Sequence, residues 1–177
     1  VGAAAGEVAV SGAQDSVTVS HSALGTEDII VNGSATNTTA GTDVTVTATE
    51  VGTGGVDGIV VGADSALALT NSDDQASGAV TVSSTGLTYD AATGDYTMAG
   101  IRVDGGSSVS ITQSASADDS AAAADTTAGI VTQGSVTVIA GDATTSVTVN
   151  QDAAVTAVDA ETAVAGSAET QQLVFGA

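Results

Sequence analysis

The chain has 177 residues, of which 42% are apolar, and its 21 Asp and Glu face a single Arg, for a formal charge of −20. So few cations argue against binding to nucleic acid, because phosphates are neutralised by Lys and Arg, and against binding to an anionic lipid surface for the same reason. The absence of Cys excludes disulfides, Cys metal sites and thiol catalysis. No apolar run is long enough to cross a bilayer.

The apolar residues are mostly Val and Ala, with one Phe, two Tyr and no Trp. Small side chains bury little area per residue, at about 25 cal/mol per Å². We therefore expect stability from repeated ladder contacts, from neighbouring copies or from bound ions. The chain starts at Val1 and carries no signal-peptide pattern, which predicts a processed chain or a piece of a longer one.

Alternation of apolar and polar residues is the dominant pattern along the chain, and it predicts half-buried strands because side chains on a strand alternate between faces. Residues 89–96, with a Tyr at each end, predict a hairpin-like loop, and residues 116–128 predict a loop. The predicted strands are, in chain order, 7–10, 17–21, 29–31, 44–49, 59–61, 67–69, 80–82, 101–103, 109–111, 134–138 and 147–149.

One phrase occurs three times, as Ser16–Ala23, Ser108–Ala115 and Ser146–Ala153, with hydroxyl residues between apolar ones. Each copy follows a segment of alternating apolar and polar residues and then a turn that contains Gly. This order indicates that the repeating structural unit is a pair of strands. The clearest predicted hairpin joins residues 134–138 to 147–149. We therefore expect an all-β fold of repeated antiparallel strand pairs forming Ig-like or β-sandwich units, without significant helix. The predicted units are residues 1–92 and 93–177, or else one continuous β domain.

Acidic residues cluster in the predicted turns, where carboxylates and carbonyls suit Ca²⁺. No cluster has the spacing of an EF-hand or of the Gly-rich Ca²⁺-binding nonapeptide, and turn chemistry with solubility is the alternative for each cluster. Calcium is nevertheless a candidate ligand, because the carboxylates have almost no basic partners. The candidate ligands are Asp90, Asp95, Asp118, Asp119, Asp125, Asp142 and Asp152.

Two polar residues are unique in the chain. His21 stands where the other phrase copies have Gln113 and Gln151, which favours a side chain that hydrogen-bonds across strands over a general base. Arg102, the only cation, is expected to pair with a carboxylate. No triad, metal cluster or cofactor loop is present, so we do not expect an enzyme.

The third phrase copy, preceded by Gly134-Ser135-Val136-Thr137-Val138 and Asp142-Ala143-Thr144-Thr145, resembles the β-strand repeats of large bacterial surface proteins. These include S-layer proteins and giant RTX-type adhesins. The resemblance extends over residues 100–166 and, more loosely, 1–50. It implies an extracellular location on the bacterial cell surface and, often, ordering by Ca²⁺; the missing nonapeptide departs from the RTX pattern.

We therefore expect a structural subunit or segment of a self-assembling extracellular array, an S-layer or a fibre, whose main partner is itself. The chain has no Pro and hardly any cations to blunt exposed strand edges. The expected subunit contacts are Val8 and Val10 near the start and Leu173, Val174 and Phe175 near the end. The alternative function is a spacer or ligand-binding module of an adhesin, with a cell-surface glycan as a further candidate partner.

Overall fold

The computed structural model describes residues 7–11, 15–24, 28–31, 43–50, 58–63, 75–86, 89–90, 96–118 and 131–156. Every element named within these ranges is a strand. The first sheet contains, in spatial order, β1 (Val8–Val10), β3 (Ile29–Val31), β5 (Ile59–Val61), β9 (Ile101–Asp104) and β12 (Val136–Ile139). The main path of the second sheet contains β2 (Val17–Leu24), β4 (Val44–Glu50), β6 (Ala79–Gly86), β10 (Ser108–Asp118) and β13 (Ser146–Thr156).

The two sheets are built by a chain that alternates between them. Each strand of the first sheet is followed by one of the second, so that the described residues form five coils stacked along one direction: β1 with β2, β3 with β4, β5 with β6, β9 with β10, and β12 with β13. Every strand pair is parallel. A parallel neighbour requires a crossover connection, and here the strand of the opposite sheet is part of that crossover. The architecture is therefore a two-sheeted parallel β-solenoid.

This finding corrects the expected fold class. The chain is all-β, as predicted, but the antiparallel pairs and the Ig-like sandwich units are wrong, because all pairs are parallel. The predicted hairpin of residues 134–149 shows the reason. Its strands, β12 and β13, lie in different sheets, and residues 140–145 carry the chain across the core instead of reversing it within one sheet. An alternating pattern determines which side of a strand is buried but does not determine the direction of its neighbour.

The Tyr-flanked hairpin is also wrong. Tyr89–Asp90 forms β7, which pairs with β10, whereas Tyr96–Thr97 forms β8, which pairs with β11 (Val131–Thr132) in a separate two-stranded sheet. Residues 91–95 between them lie outside the described residues. Strand β10 extends to Asp118 and so includes the beginning of the segment expected to be a loop.

The core lies between the two sheets and consists of small aliphatic side chains. Val and Thr are both β-branched and pack well on the pleated surface of the second sheet. They alternate because the Val side chains point inward to the core and the Thr side chains point outward. The most deeply buried aliphatic residues include Ile29, Val46, Ile59, Val61, Val103, Ile111 and Val138. Strands before and after residue 92 pair in both sheets, through β5–β9 and β6–β10. The boundary between the two predicted units itself stays a prediction.

The turns between the sheets stack on one another as the strands do. The amide of Gly105 donates to the carbonyl of Ile139 at 2.8 Å, and that of Gly106 donates to Ala76 at 2.7 Å. Gly105 has a φ of 80°, and a Cβ built there would lie 2.5 Å from the carbonyl oxygen of Ala76. Only Gly adopts this conformation at low cost and leaves space for the next coil.

Candidate functional site: ends and faces of the solenoid

The phrase identified in the sequence is the building block of the second sheet. Its second and third copies form β10 and β13 and pair residue for residue, from Ser108 opposite Ser146 to Ala115 opposite Ala153. The first copy lies in β2. Strands β4 and β6 occupy the positions between β2 and β10, with looser sequences. The register between β2 and β4 is continuous from Val17 to His21 and shifts before Leu24.

We call a set of residues at paired positions of neighbouring strands a rank. One inward rank of the second sheet runs Val17, Val44, Val80, Val109 and Val147. The three middle members are 1–2% exposed, whereas Val17 and Val147 are only partly buried. Val149 on β13 and Val8 and Val10 on β1 are also partly buried against the core. The apolar interior is thus incompletely covered at both ends of the stack.

The end strands also have open backbone edges. Within the described residues, β1 and β2 at one end, and β12 and β13 at the other, each pair on one side only. An unpaired edge presents N–H and C=O groups to any strand that approaches. Val8 and Val10, predicted as contact residues, lie on such an edge. Leu173, Val174 and Phe175 lie outside the described residues, so their predicted contact role stays a prediction.

The outward face of the second sheet carries a regular array of side chains, nearly all of them hydroxyl residues. Its first rank consists of Thr18, Thr45, Thr81, Ser110 and Thr148, and its second rank of Ser20, Thr47, Ser83, Thr112 and Asn150. A third rank contains Thr49, Thr85, Ser114 and Asp152. All of these positions are exposed or partly exposed. We call this surface the hydroxyl face.

The outward side of the first sheet differs, because it is buried in the middle coils. Val60, Arg102 and Thr137 form a rank that is 1–8% exposed. The Nε and Nη2 atoms of Arg102 donate to the two carboxylate oxygens of Asp104 at 2.8 and 2.6 Å. The expected carboxylate partner of the only cation is therefore confirmed. The ion pair is 1% and 0% exposed, so it belongs to the interior of the fold.

One row of inward positions in the second sheet carries mostly polar side chains, two of which are Gln that hydrogen-bond to each other. His21, Ala48, Ser84, Gln113 and Gln151 form one inward rank of the second sheet. The Nε2 atom of Gln151 donates to Oε1 of Gln113 at 2.8 Å, and Nε2 of Gln113 donates to the carbonyl of Ala99 at 2.9 Å. The expected cross-strand hydrogen bond at this phrase position is confirmed for the two Gln. His21 is buried at the same rank, 7% exposed.

The structure brings two of the predicted calcium ligands to paired positions and places the other described ones elsewhere. Asp90 on β7 is paired with Asp118 on β10. Asp142 lies exposed in the turn before β13, and Asp152 lies exposed on β13, where it accepts a hydrogen bond from Asn150 at 3.0 Å. Asp95, Asp119 and Asp125 lie outside the described residues. Among the residues that the structure describes, no three acidic or His side chains form a metal-binding group, and calcium binding stays a prediction.

Sequence reasoning did not identify the hydroxyl face as a surface. The signal was present, because hydroxyl residues occupy every second position of the phrase, but parallel in-register stacking was needed to align them into ranks.

Within the described ranges, no helix could span a membrane.

Comparison with known protein families, known proteins and solved structures finds no match. The resemblance to bacterial surface proteins therefore stays a prediction.

Proposed function

We propose that this chain is a structural segment of a self-assembling extracellular array or fibre, in which β-solenoids associate end to end. The observation that supports this proposal is the incomplete burial of the end coils: Val17 and Val147 are partly exposed at a rank whose middle members are 1–2% exposed. A further coil on either end would cover these residues and pair the open edges.

The two ends have complementary sequences for such a contact. Strand β13 at one end and β2 at the other carry copies of the same phrase. If β13 of one molecule paired with β2 of the next in the register used within the chain, Val147 would meet Val17 and Val149 would meet Val19. In the first sheet, Val136 and Val138 of β12 would meet Val8 and Val10. The contact joins two different surfaces, and such heterologous contacts produce open fibres unless the rotation closes a ring.

The charge of the chain opposes this association and gives cations a role. A formal charge of −20 on each molecule causes repulsion between neighbours, which is screened by salt and reduced by bridging divalent cations. The proposed extracellular location on a bacterial cell rests on the resemblance of the phrase alone. Among the described strands of the two main sheets, those at the ends of the solenoid can take part in strand-edge association without rebuilding the coils.

The contact can be tested by cross-linking, because the chain has no native Cys. Thr18→Cys and Thr148→Cys variants, each exposed on an end strand, are mixed and treated with a short thiol-to-thiol cross-linker. Adjacent strands lie about 4.8 Å apart, so end-to-end contact predicts mixed dimers of the two variants. Thr45→Cys, exposed on an inner strand, replaces Thr18→Cys in the control and is expected to give few mixed dimers.

Sedimentation velocity and electron microscopy over a range of protein and Ca²⁺ concentrations complete the test. Fibres or arrays that grow with concentration, together with selective cross-linking, support the proposal. A monomer at every concentration, with equal cross-linking of the Thr18→Cys and Thr45→Cys mixtures, contradicts it and favours the adhesin spacer.

A further inference from the structure

We propose that the hydroxyl face of the second sheet binds the surface of ice. The proposal does not depend on end-to-end assembly. It rests on the chemistry of the face, on its lack of charge and on the repeat distances that the strand register imposes.

The face is nearly free of charge on a chain that is strongly anionic. Among the described outward residues of β2, β4, β6 and β10 from Thr18 to Ser114, each side chain of the three ranks is Thr or Ser. The one carboxylate within the three ranks, Asp152, lies on the edge strand β13 and accepts a hydrogen bond from Asn150. A second exposed carboxylate, Asp43, lies at the margin of the face, two residues before Thr45, and accepts a hydrogen bond from the amide of Ala79. A neutral face on a chain of formal charge −20 fits a neutral partner and neither a polyanion nor a cationic protein.

The side chains have the hydrogen-bonding capacity of water itself. A hydroxyl donates one hydrogen bond and offers two acceptor lone pairs, so it can take the place of a water molecule in a hydrogen-bonded lattice. Thr adds a methyl group, which restricts the orientation of adjacent water molecules. A charged side chain would instead orient water around itself. The face combines hydroxyl and methyl groups, as an ice-binding surface requires.

The spacing of the face is close to the repeat distances of an ice crystal. Neighbouring strands are about 4.8 Å apart, and every second residue along a strand is about 6.7 Å further on. Tetrahedral O–H···O hydrogen bonds of about 2.75 Å place second-neighbour water oxygens of ice about 4.5 Å apart, with a stacking repeat of about 7.3 Å. The two lattices therefore agree within about a tenth in both directions.

The register makes this lattice a fixed feature of the fold. Thr45 is paired with Thr81, and Thr47 with Ser83, without a shift from Val44 to Glu50. The same continuous register joins β6 to β10 and β10 to β13. The inward neighbours Val44, Val46, Val80 and Val82 are 0–2% exposed, so the core holds the backbone beneath the face in place.

A crystalline polysaccharide is the other neutral lattice that could meet this face. Sugar rings present apolar C–H faces, which pack well on aromatic side chains. The described ranks contain no aromatic residue, and their short side chains offer few ways to follow a sugar outline. Ice, which offers only water molecules at regular positions, is the occupant that the observations favour.

The experiment measures how the purified chain partitions between a slowly growing ice hemisphere and the remaining liquid, together with inhibition of ice recrystallisation. Wild-type protein is expected to concentrate in the ice. Thr47→Lys and Thr81→Lys each place a charge in the middle of the face and are expected to reduce partitioning to the level of a non-binding protein. Ser135→Lys, at an exposed position before β12, is the matched control and is expected to partition like wild type. Circular dichroism verifies that all variants are folded.

Three results would overturn the proposal. The first is exclusion of the wild-type chain from ice, and the second is equal partitioning of the Thr47→Lys, Thr81→Lys and Ser135→Lys variants. The third is cosedimentation with crystalline cellulose or chitin that is lost in the face variants, in the absence of ice partitioning, since this would assign the face to a polysaccharide.

Discussion

At the scale of single residues, the polar groups of the interior are the most constrained part of the molecule. Arg102 and Asp104 form a bidentate pair that is almost fully buried. The attraction of a buried pair compensates for the loss of hydration only when the geometry is good, and removal of one partner leaves an isolated charge. The single Arg of an acidic chain is therefore used in the interior and does not balance the charge of the surface.

Replacing Arg102 alone is expected to be costly. Arg102→Met leaves the Asp104 carboxylate buried without its guanidinium partner, and we expect a loss of about 3–5 kcal/mol in the free energy of unfolding. The double variant Arg102→Met/Asp104→Leu is expected to recover most of this loss, because the isolated charge is removed as well. Urea denaturation followed by circular dichroism measures both. Asp142→Ala removes an exposed carboxylate and serves as the control, with a change below about 0.5 kcal/mol. Equal destabilisation of the single and double variants would contradict the argument.

At the scale of elements, strands and turns are repeated in the same register from coil to coil. The turn between β12 and β13 shows how one coil is attached to the previous one. The Oγ1 atom of Thr144 accepts a hydrogen bond from the amide of Gly141 at 3.0 Å and donates to the carbonyl of Gly106 at 2.6 Å. Thr145 makes a similar bond to Ser107 at 2.9 Å, but at an exposed position. One Thr thus closes its own turn and holds it against the turn below.

The two adjacent Thr residues provide a matched test of this arrangement. Thr144→Val keeps the shape of the side chain but removes the hydroxyl, leaving two partly buried backbone groups unpaired, and we expect a loss of about 1–3 kcal/mol. Thr145→Val is expected to cost less, because water can replace the lost hydroxyl at an exposed site. Thermal and urea unfolding of the two variants measure the difference. A Thr145→Val variant that is as unstable as Thr144→Val would refute the proposed role of the Thr144 hydroxyl in attaching the two turns.

At the scale of the whole molecule, stability depends on the balance between stacked coils and charge. The coils bury a continuous aliphatic core, and each end leaves part of it uncovered. The formal charge of −20 opposes compaction through repulsion, which acts over about 10 Å at 0.1 M salt and about 3 Å at 1 M. The same repulsion is expected to oppose association through the open edges.

We therefore expect the free energy of unfolding to rise with NaCl concentration. Calcium is expected to stabilise the chain beyond this screening, because loops that offer carboxylates suit the flexible coordination of Ca²⁺. MgCl2 at the same concentration is the control, since Mg²⁺ has the same charge but demands near-octahedral geometry. Thermal unfolding in each salt, before and after a chelator is added, separates the two effects. Identical unfolding curves in CaCl2 and MgCl2 would contradict specific calcium binding.

The amino-acid sequence determined where the strands of the two main sheets lie, which side of the second-sheet strands faces the core, and that one phrase recurs. Val and Thr alternate because one face of the strand is buried and the other is exposed to solvent, and this two-residue period is visible in the sequence alone. The partner of Arg102 was also predictable in kind, since almost every other charged side chain is acidic.

Only the tertiary structure decided the direction of pairing, the assignment of β12 and β13 to different sheets, and the alignment of Thr45, Thr81 and Ser110 into one rank. A two-residue period is the same for a strand with parallel neighbours and for one with antiparallel neighbours. The choice between them depends on how a turn of a few residues crosses the core, and on contacts between residues that lie about 30 positions apart in the chain, such as Val80 and Val109.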